Sequence, residues 1–380
     1  MKLSASLALL ALTLAAVAQE EASVNDTARF LAGLPVRDTP LEKYSRERAW
    51  STHAAEFDAS WKTLESRQLS KIRAWAPENI GETYAESGPM FYMFSGPDIL
   101  YAQAFFPNAS TYVLCALEPI GAVPDIAKLA RGALPSALGN LRKSLNSVLS
   151  FSFFITKDMK NDLGHKELTG TVPLLLVFLA RGGCTVESVE PVGLDKEGNF
   201  TDGKASRSGV KIVFTGAGKK EQTLYYFVAD LSNGGIKASP AMLNFCDKLG
   251  PGVCLLKAAS YLMHSDDFSL TRDFLLSHGK AIVQDDSGIP IEHFTPTAWE
   301  VRPFGNFAGP IDLFKKNKQP KLAELYRGAR APKLEFSFGY RWRPSESSLI
   351  LGRMKDFIPV APAAPVAPVA PAAPDAPTAP

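Results

Sequence analysis

The sequence predicts an α/β fold: a mixed, partly parallel sheet with helices on both faces and antiparallel strands toward the C-terminus. Three observations predict it. Residues 90–98 (MFYMFSGPD), 99–106 and 110–118 read as an apolar strand, a tight turn carrying Asp98, a short helix and a second apolar strand ending in Glu118. A strand-helix-strand unit of this kind lays its strands parallel. Leucines at 134, 138, 141, 145 and 149 then describe an amphipathic helix leading into the apolar run 151–155, so strand follows helix again. Residues 210–214 and 223–228 flank the polar turn 216–220 as a hairpin.

The elements justify themselves in order. Trp50, Phe57, Trp61, Leu64, Ile72 and Trp75 fall mostly at sums of three and four residues, a helical face ended by Pro77. Large aromatics at that spacing point to a face packed on the core, with a carbohydrate platform as the alternative. Asp98, Glu118 and Asp158 each follow a predicted strand, where ligands sit in open α/β sheets and where helix caps are also made. Pro173 near its start and Gly182-Gly183 past its end mark residues 172–181 as a helix, apolar nearly all round. Residues 186–192 read as a strand with Pro191 at its end. Gly218-Lys219 does not complete a phosphate loop, because Val213 stands where the GxxxxGK pattern requires Gly. Residues 255–263 and 268–277 read as two helices separated by His264-Ser265-Asp266-Asp267, whose acids cap the second. Residues 281–284 form a strand running into Asp285 and Asp286, paired acids that suit a divalent cation, proton transfer or a charged turn. The stretch 336–343 alternates so that Phe336, Phe338 and Tyr340 share one face of a strand and Arg341 and Arg343 the other.

Lys2, the apolar run 7–17 and Ala16-Val17-Ala18 compose a secretory signal over residues 1–18. A loose lead-in over 19–40 follows, then a globular region over 41–358, as one unit or as two packed lobes, 41–160 and 165–358. An Ala-Pro-Val tail at 359–380 is extended and disordered, a spacer or an interaction segment. The expected location is therefore outside the cytoplasm, periplasmic or extracellular. The only later run as apolar, residues 172–180, is too short to span a bilayer. With 46% hydrophobic and 21% charged residues the chain can bury a sizeable core, and a net charge of +2 without a basic stripe argues against nucleic acid. Of the four cysteines, Cys246 and Cys254 flank a Gly-Pro-Gly turn that can bring them together as a disulfide or leave them as two buried thiols, and Cys115 reads as a core residue. No CxxC or Cys/His spacing suggests structural zinc.

Several phrases, among them FSGPD at 94–98, FFPNA at 105–109, LEP at 117–119, KAASYLM at 257–263 and QDDSGIP at 284–290, resemble those of an uncharacterised family of exported bacterial proteins with no assigned activity. The likeness covers roughly residues 41–354 and implies export and a bacterial origin. A second, weaker likeness is to methyltransferase-like Rossmann units, in which a strand runs into a Gly turn and an acid after the next strand takes the ribose hydroxyls. Gly96 and Glu118 hold those places. It implies a Rossmann-like N-terminal unit; with a single Gly and Pro97 in the turn, it implies the fold without the cofactor, so the cofactor stays unknown.

No GxSxG elbow or HExxH motif is present, and the SxxK matches at Ser208 and Ser277 lack partner motifs. The leading reading is a soluble exported protein that binds a small molecule or envelope component near Ser95, Gly96, Asp98 and Glu118, its apolar part meeting Tyr92, Phe94 or Tyr101. One alternative is a carboxylate- or metal-dependent hydrolase or transferase built from Asp98, Glu118, Asp285 and Asp286. The other is a structural or interaction protein of the envelope.

Overall fold

The structure is a computed structural model that describes residues 22–130, 132–151, 168–201, 208–216, 218 and 220–355. The signal, most of the apolar run 151–155, Asp158 and the Pro/Ala tail lie outside the described residues. Ten strands form one sheet: β1 (Pro89–Tyr92), β2 (Thr111–Ala116), β3 (Thr185–Leu194), β4 (Phe200–Thr201), β5 (Gly209–Thr215), β6 (Glu221–Val228), β7 (Gly252–Leu256), β8 (Gly279–Gln284), β9 (Trp299–Gly305) and β10 (Ser348–Met354). Their spatial order is β4-β3-β5-β6-β2-β1-β7-β8-β10-β9. The five central strands, β6-β2-β1-β7-β8, are parallel. The strands outside them are antiparallel on both flanks.

Both faces of the centre are covered, which is why β1, β2 and β7 are almost wholly apolar rather than alternating. Met90 and Tyr92 point into one core with Tyr112, Leu114, Val253 and the helix Val172–Arg181; Phe91, Val113, Cys115 and Cys254 point into the other with the helices Ala241–Leu249 and Ser269–His278. From β1 the helix Ile99–Phe105 leads to β2 on one side, while β7 and β8, reached from β6, lie on the other. The parallel strands thus have the order of a Rossmann sheet, with a topological switch between β1 and β7. Because β1 and β2 lie between β6 and β7, segments 41–160 and 165–358 share that sheet.

Some elements differ from the sequence expectation. The helix expected over 255–263 is instead β7 followed by an irregular loop and a short 3₁₀ turn, Leu262–His264. A continuous apolar run suits a buried helix or a buried strand equally, and here the slot between β1 and β8 decides. Residues 336–340 make no ladder: Phe336 and Phe338 plug the core against Phe105, and Gln68 Oε1 takes the Ser337 amide at 3.0 Å. The alternation is there without the strand. Pro77 does not end its helix, which runs Ser70–Asn79 with the proline in its last turns. The long N-terminal helix is interrupted by a π turn at Glu65–Leu69. Cys246 and Cys254 are both buried free thiols, so the disulfide is not formed. The turn does fold the helix Ala241–Leu249 back over β7, but both thiols are packed as core residues.

Among the described residues no helix is long and apolar enough to cross a membrane. The exit of β2 is pinned where two glycines cross. Gly121 and Gly170 have φ of 73° and 76°, and a Cβ on Gly170 would stand 2.3 Å from the Gly121 nitrogen. Thr171 and Val172 donate their amides to Pro119 and Ile120 carbonyls, both at 2.9 Å, so this crossing fixes the segment that carries Glu118. Gly170→Ala is expected to cost at least about 1–3 kcal/mol. Urea unfolding measures it, and a variant within ~0.5 kcal/mol of the parent would remove the crossing from the list of constraints.

Candidate functional site

After β1 the backbone turns sharply: Phe94 is left-handed (φ 61°), Gly96 likewise (φ 57°), and Asp98 then starts the helix Ile99–Phe105. Ser95 ties this turn to β2, donating its amide to the Cys115 carbonyl at 3.0 Å and accepting the Cys115 amide on its hydroxyl at 3.2 Å. Asp98 does three things with one carboxylate. Oδ1 accepts the Tyr101 amide (3.1 Å) as the helix cap, and Oδ2 accepts the Tyr92 hydroxyl (2.9 Å) and meets Lys257 Nζ at 2.6 Å. Lys257 is the first residue beyond β7. Its ammonium lies 3.3 Å from the centroid of the Tyr101 ring, and the side chains of the pair are only 2% (Lys257) and 3% (Asp98) exposed. Burial pushes Asp98 up and Lys257 down, each opposed by the other's charge, so the two proton affinities are drawn together.

The pair forms one wall of a cavity of about 370 Å³ at the carboxyl ends of the central parallel strands. Ser95 and Gly96 from the β1 turn, Glu118 from the end of β2 and Asp230 after β6 share the lining with Asp98 and Lys257. Phe94, Leu231, Leu262 and Phe268 supply the apolar part. Glu118 is buried, 3% exposed, and the Tyr226 hydroxyl donates to its backbone carbonyl at 3.0 Å. Tyr92 lines the cavity, whereas Tyr101 contributes its ring to Lys257.

The loop after Lys257 is strained. Ala258, Ser260 and Tyr261 have φ of 55°, 54° and 55°; with Phe94 they are four of the six non-glycine residues at positive φ among the described residues, all on two loops at the cavity. Side chains from elsewhere hold that conformation. Asp285 Oδ1 accepts the Ala258 amide (3.3 Å) and the Ser287 hydroxyl (2.7 Å), and the Ser287 hydroxyl takes the Ala259 amide (2.7 Å). Asp286 accepts the Tyr261 hydroxyl on Oδ2 and the Ser348 hydroxyl on Oδ1 (2.9 Å). The Tyr340 hydroxyl donates to the Ala258 carbonyl (2.8 Å) and accepts the Ser260 amide (3.1 Å).

Of the residues the sequence singles out, the structure therefore brings Ser95, Gly96, Asp98 and Glu118 to one cavity. Asp285 and Asp286 stand behind the 258–261 loop and are not among the lining residues. Among the described residues no three His, Cys, Asp or Glu side chains are grouped to hold a metal ion. Sequence reasoning missed Lys257, whose only local signal is a single cation directly after a run of apolar residues, and Tyr340, which carries no signal without the fold. Cys115 is a core thiol, pushed up to about 12 by burial.

Lys257→Met leaves the Asp98 carboxylate buried without its cation and is expected to destabilise the chain by about 3–5 kcal/mol, most of it regained in the double variant with Asp98→Asn. Denaturant titration of the two variants decides it, and a single variant as stable as the parent would contradict the account. Burial and the Asp286 charge raise Asp285 from its ordinary 3.8 to about 7. Its Oδ2 has no hydrogen-bond partner among the described residues, and a Cβ on Gly339 would stand 2.0 Å from it. Between those two values the folded chain holds the extra proton, so this group's stabilising contribution is complete below pH ~4 and is lost as pH rises through ~7. Asp285→Asn should accordingly gain stability relative to the parent from pH 4 to pH 8; a difference constant with pH would refute the assignment.

The chain matches no protein-family model and no curated protein.

Proposed function

We propose that the chain is an exported protein that binds a small organic molecule in the cavity at the carboxyl ends of β2, β1 and β7. The observation that carries this reading is the buried Asp98–Lys257 pair opening onto a cavity of about 370 Å³. Burying two charges costs several kcal/mol, and an apolar pair of the same shape would serve stability as well or better. The expense is understandable where the charges orient a ligand. The strained loops on either side support the same reading, since such strain collects at binding sites.

The lining also constrains the ligand. Asp98, Glu118 and Asp230 are three carboxylates against the single cation Lys257, so the cavity favours a polyhydroxylated or amine-bearing group over an anion. Its apolar part would lie against Phe94, Leu231, Leu262 and Phe268. Acid-base catalysis is a second reading with one observation in its favour: burial raises Asp98 and lowers Lys257 while their side chains meet at 2.6 Å, the direction that eases proton transfer. The hydrolase built from four acids has less support, because Asp285 and Asp286 belong to the loop scaffold.

Thermal unfolding against polyols, nucleosides, amines and inorganic phosphate tests the proposal. A ligand present at 100 times its dissociation constant is expected to add about 2.7 kcal/mol, from the uncharged or cationic members of the panel. Ala229, the residue before Asp230, also lines the cavity, and Ala229→Phe, which projects a ring into it, should abolish the shift. A shift that survives Ala229→Phe, or that comes only from phosphate, would overturn the proposal.

A further inference from the structure

Residues 312–343 hold nine Lys and Arg against Asp312, Glu324 and Glu335, an excess of six positive charges in a chain whose net charge is +2. Eight of the nine are exposed, the exception being Arg341, whose guanidinium donates to the Gly309 carbonyl. Lys315, Lys316, Lys318, Lys321, Arg330 and Lys333 form no ion pair with a described residue. Arg343 meets Glu346 only at 3.5 Å on the surface, a pair worth little.

Within this field stand two of the most exposed large apolar side chains among the described residues, Leu313 (78%) and Trp342 (68%). The two segments that carry them are in contact. The Phe314 ring packs on Tyr340 at 5.2 Å between centroids, and the contact of Arg341 with Gly309 clamps the same two segments together. Leu313 is followed by Lys315, Lys316 and Lys318, and Trp342 is flanked by Arg341 and Arg343.

We propose that this surface docks the folded protein on an anionic lipid bilayer. Tryptophan belongs at the headgroup level, where its ring is half in the apolar region and its indole N–H meets water. Leu313 on the contacting segment adds apolar area to the insertion, and each Lys or Arg close to an anionic surface contributes about 1 kcal/mol. Cations on the same segments as two exposed apolar side chains complement a charged surface with an apolar interior. The surface stands independent of what the cavity holds.

The test is sedimentation of the full chain, as recovered from the producing cell, with vesicles of phosphatidylcholine alone and of phosphatidylcholine containing phosphatidylglycerol. Binding is expected only to the second and is expected to weaken with salt. Two variants are compared in the same chain: Lys315→Glu with Lys316→Glu and Lys318→Glu, and Leu313→Ala with Trp342→Ala. All five sites are exposed or border the surface, so unchanged thermal unfolding verifies the fold. Each variant should bind at least about tenfold more weakly. No binding, equal binding to both vesicles, or variants that bind like the parent would overturn the proposal. So would binding to heparin that matches the vesicles and ignores the Leu313 and Trp342 substitutions, since that outcome identifies a soluble polyanion.

Discussion

The contact between Asp98 and Lys257 joins the two halves of the parallel sheet. Asp98 belongs to the β1 turn and caps the helix that leads to β2; Lys257 directly follows β7, across the switch point. One carboxylate therefore fixes a helix start, a strand neighbour and a cavity wall. Three donors converge on it, from Tyr92, Tyr101 and Lys257, and each favours the ionised form against the burial that pushes it up. The cation in turn rests on the Tyr101 ring, whose backbone amide the same carboxylate receives. Each member holds the others in place, so the polar wall of the cavity is set before any ligand arrives.

Around that pair lies a second layer. Asp285, Asp286, Ser287 and Tyr340 grip the backbone and side chains of the 258–261 loop and keep it in a conformation that its residues would not adopt alone. The two acids after β8 thus act on the cavity through the loop. Gly339 is required for the same reason: with any side chain there, Asp285 would have no room.

Much of the α/β organisation was readable from residues. The β1-turn-helix-β2 unit, the hairpin of β5 and β6 and the helix Val172–Arg181 each carry a local signature, and Asp98 and Glu118 were visible as acids at strand ends. Residues 252–256 were not readable as a strand, because five buried positions in succession have neither period and only the neighbours β1 and β8 choose between helix and strand. Lys257 was lost with that strand. Asp285 and Asp286 were readable as unusual, but their role depends on a loop whose shape is fixed by Tyr340 from a distant segment, and sequence spacing contains nothing about such a meeting. Residues 336–340 show the converse: correct alternation, with side chains that fill a core while the backbone finds no ladder partner.

The chain order of the sheet bears on how the protein is made. β1 is flanked by β2, its neighbour in sequence, and by β7, which is synthesised much later; β10, the last strand described, lies inside the sheet between β8 and β9 rather than at an edge. The early strands cannot satisfy both their flanks, nor the Asp98 carboxylate its cation, until the chain has been made as far as β7 and Lys257. Pairings so distant in sequence form slowly. A chain of this design completes its sheet only after β10 has been made, so the native pairing of its C-terminal flank is a late event in folding.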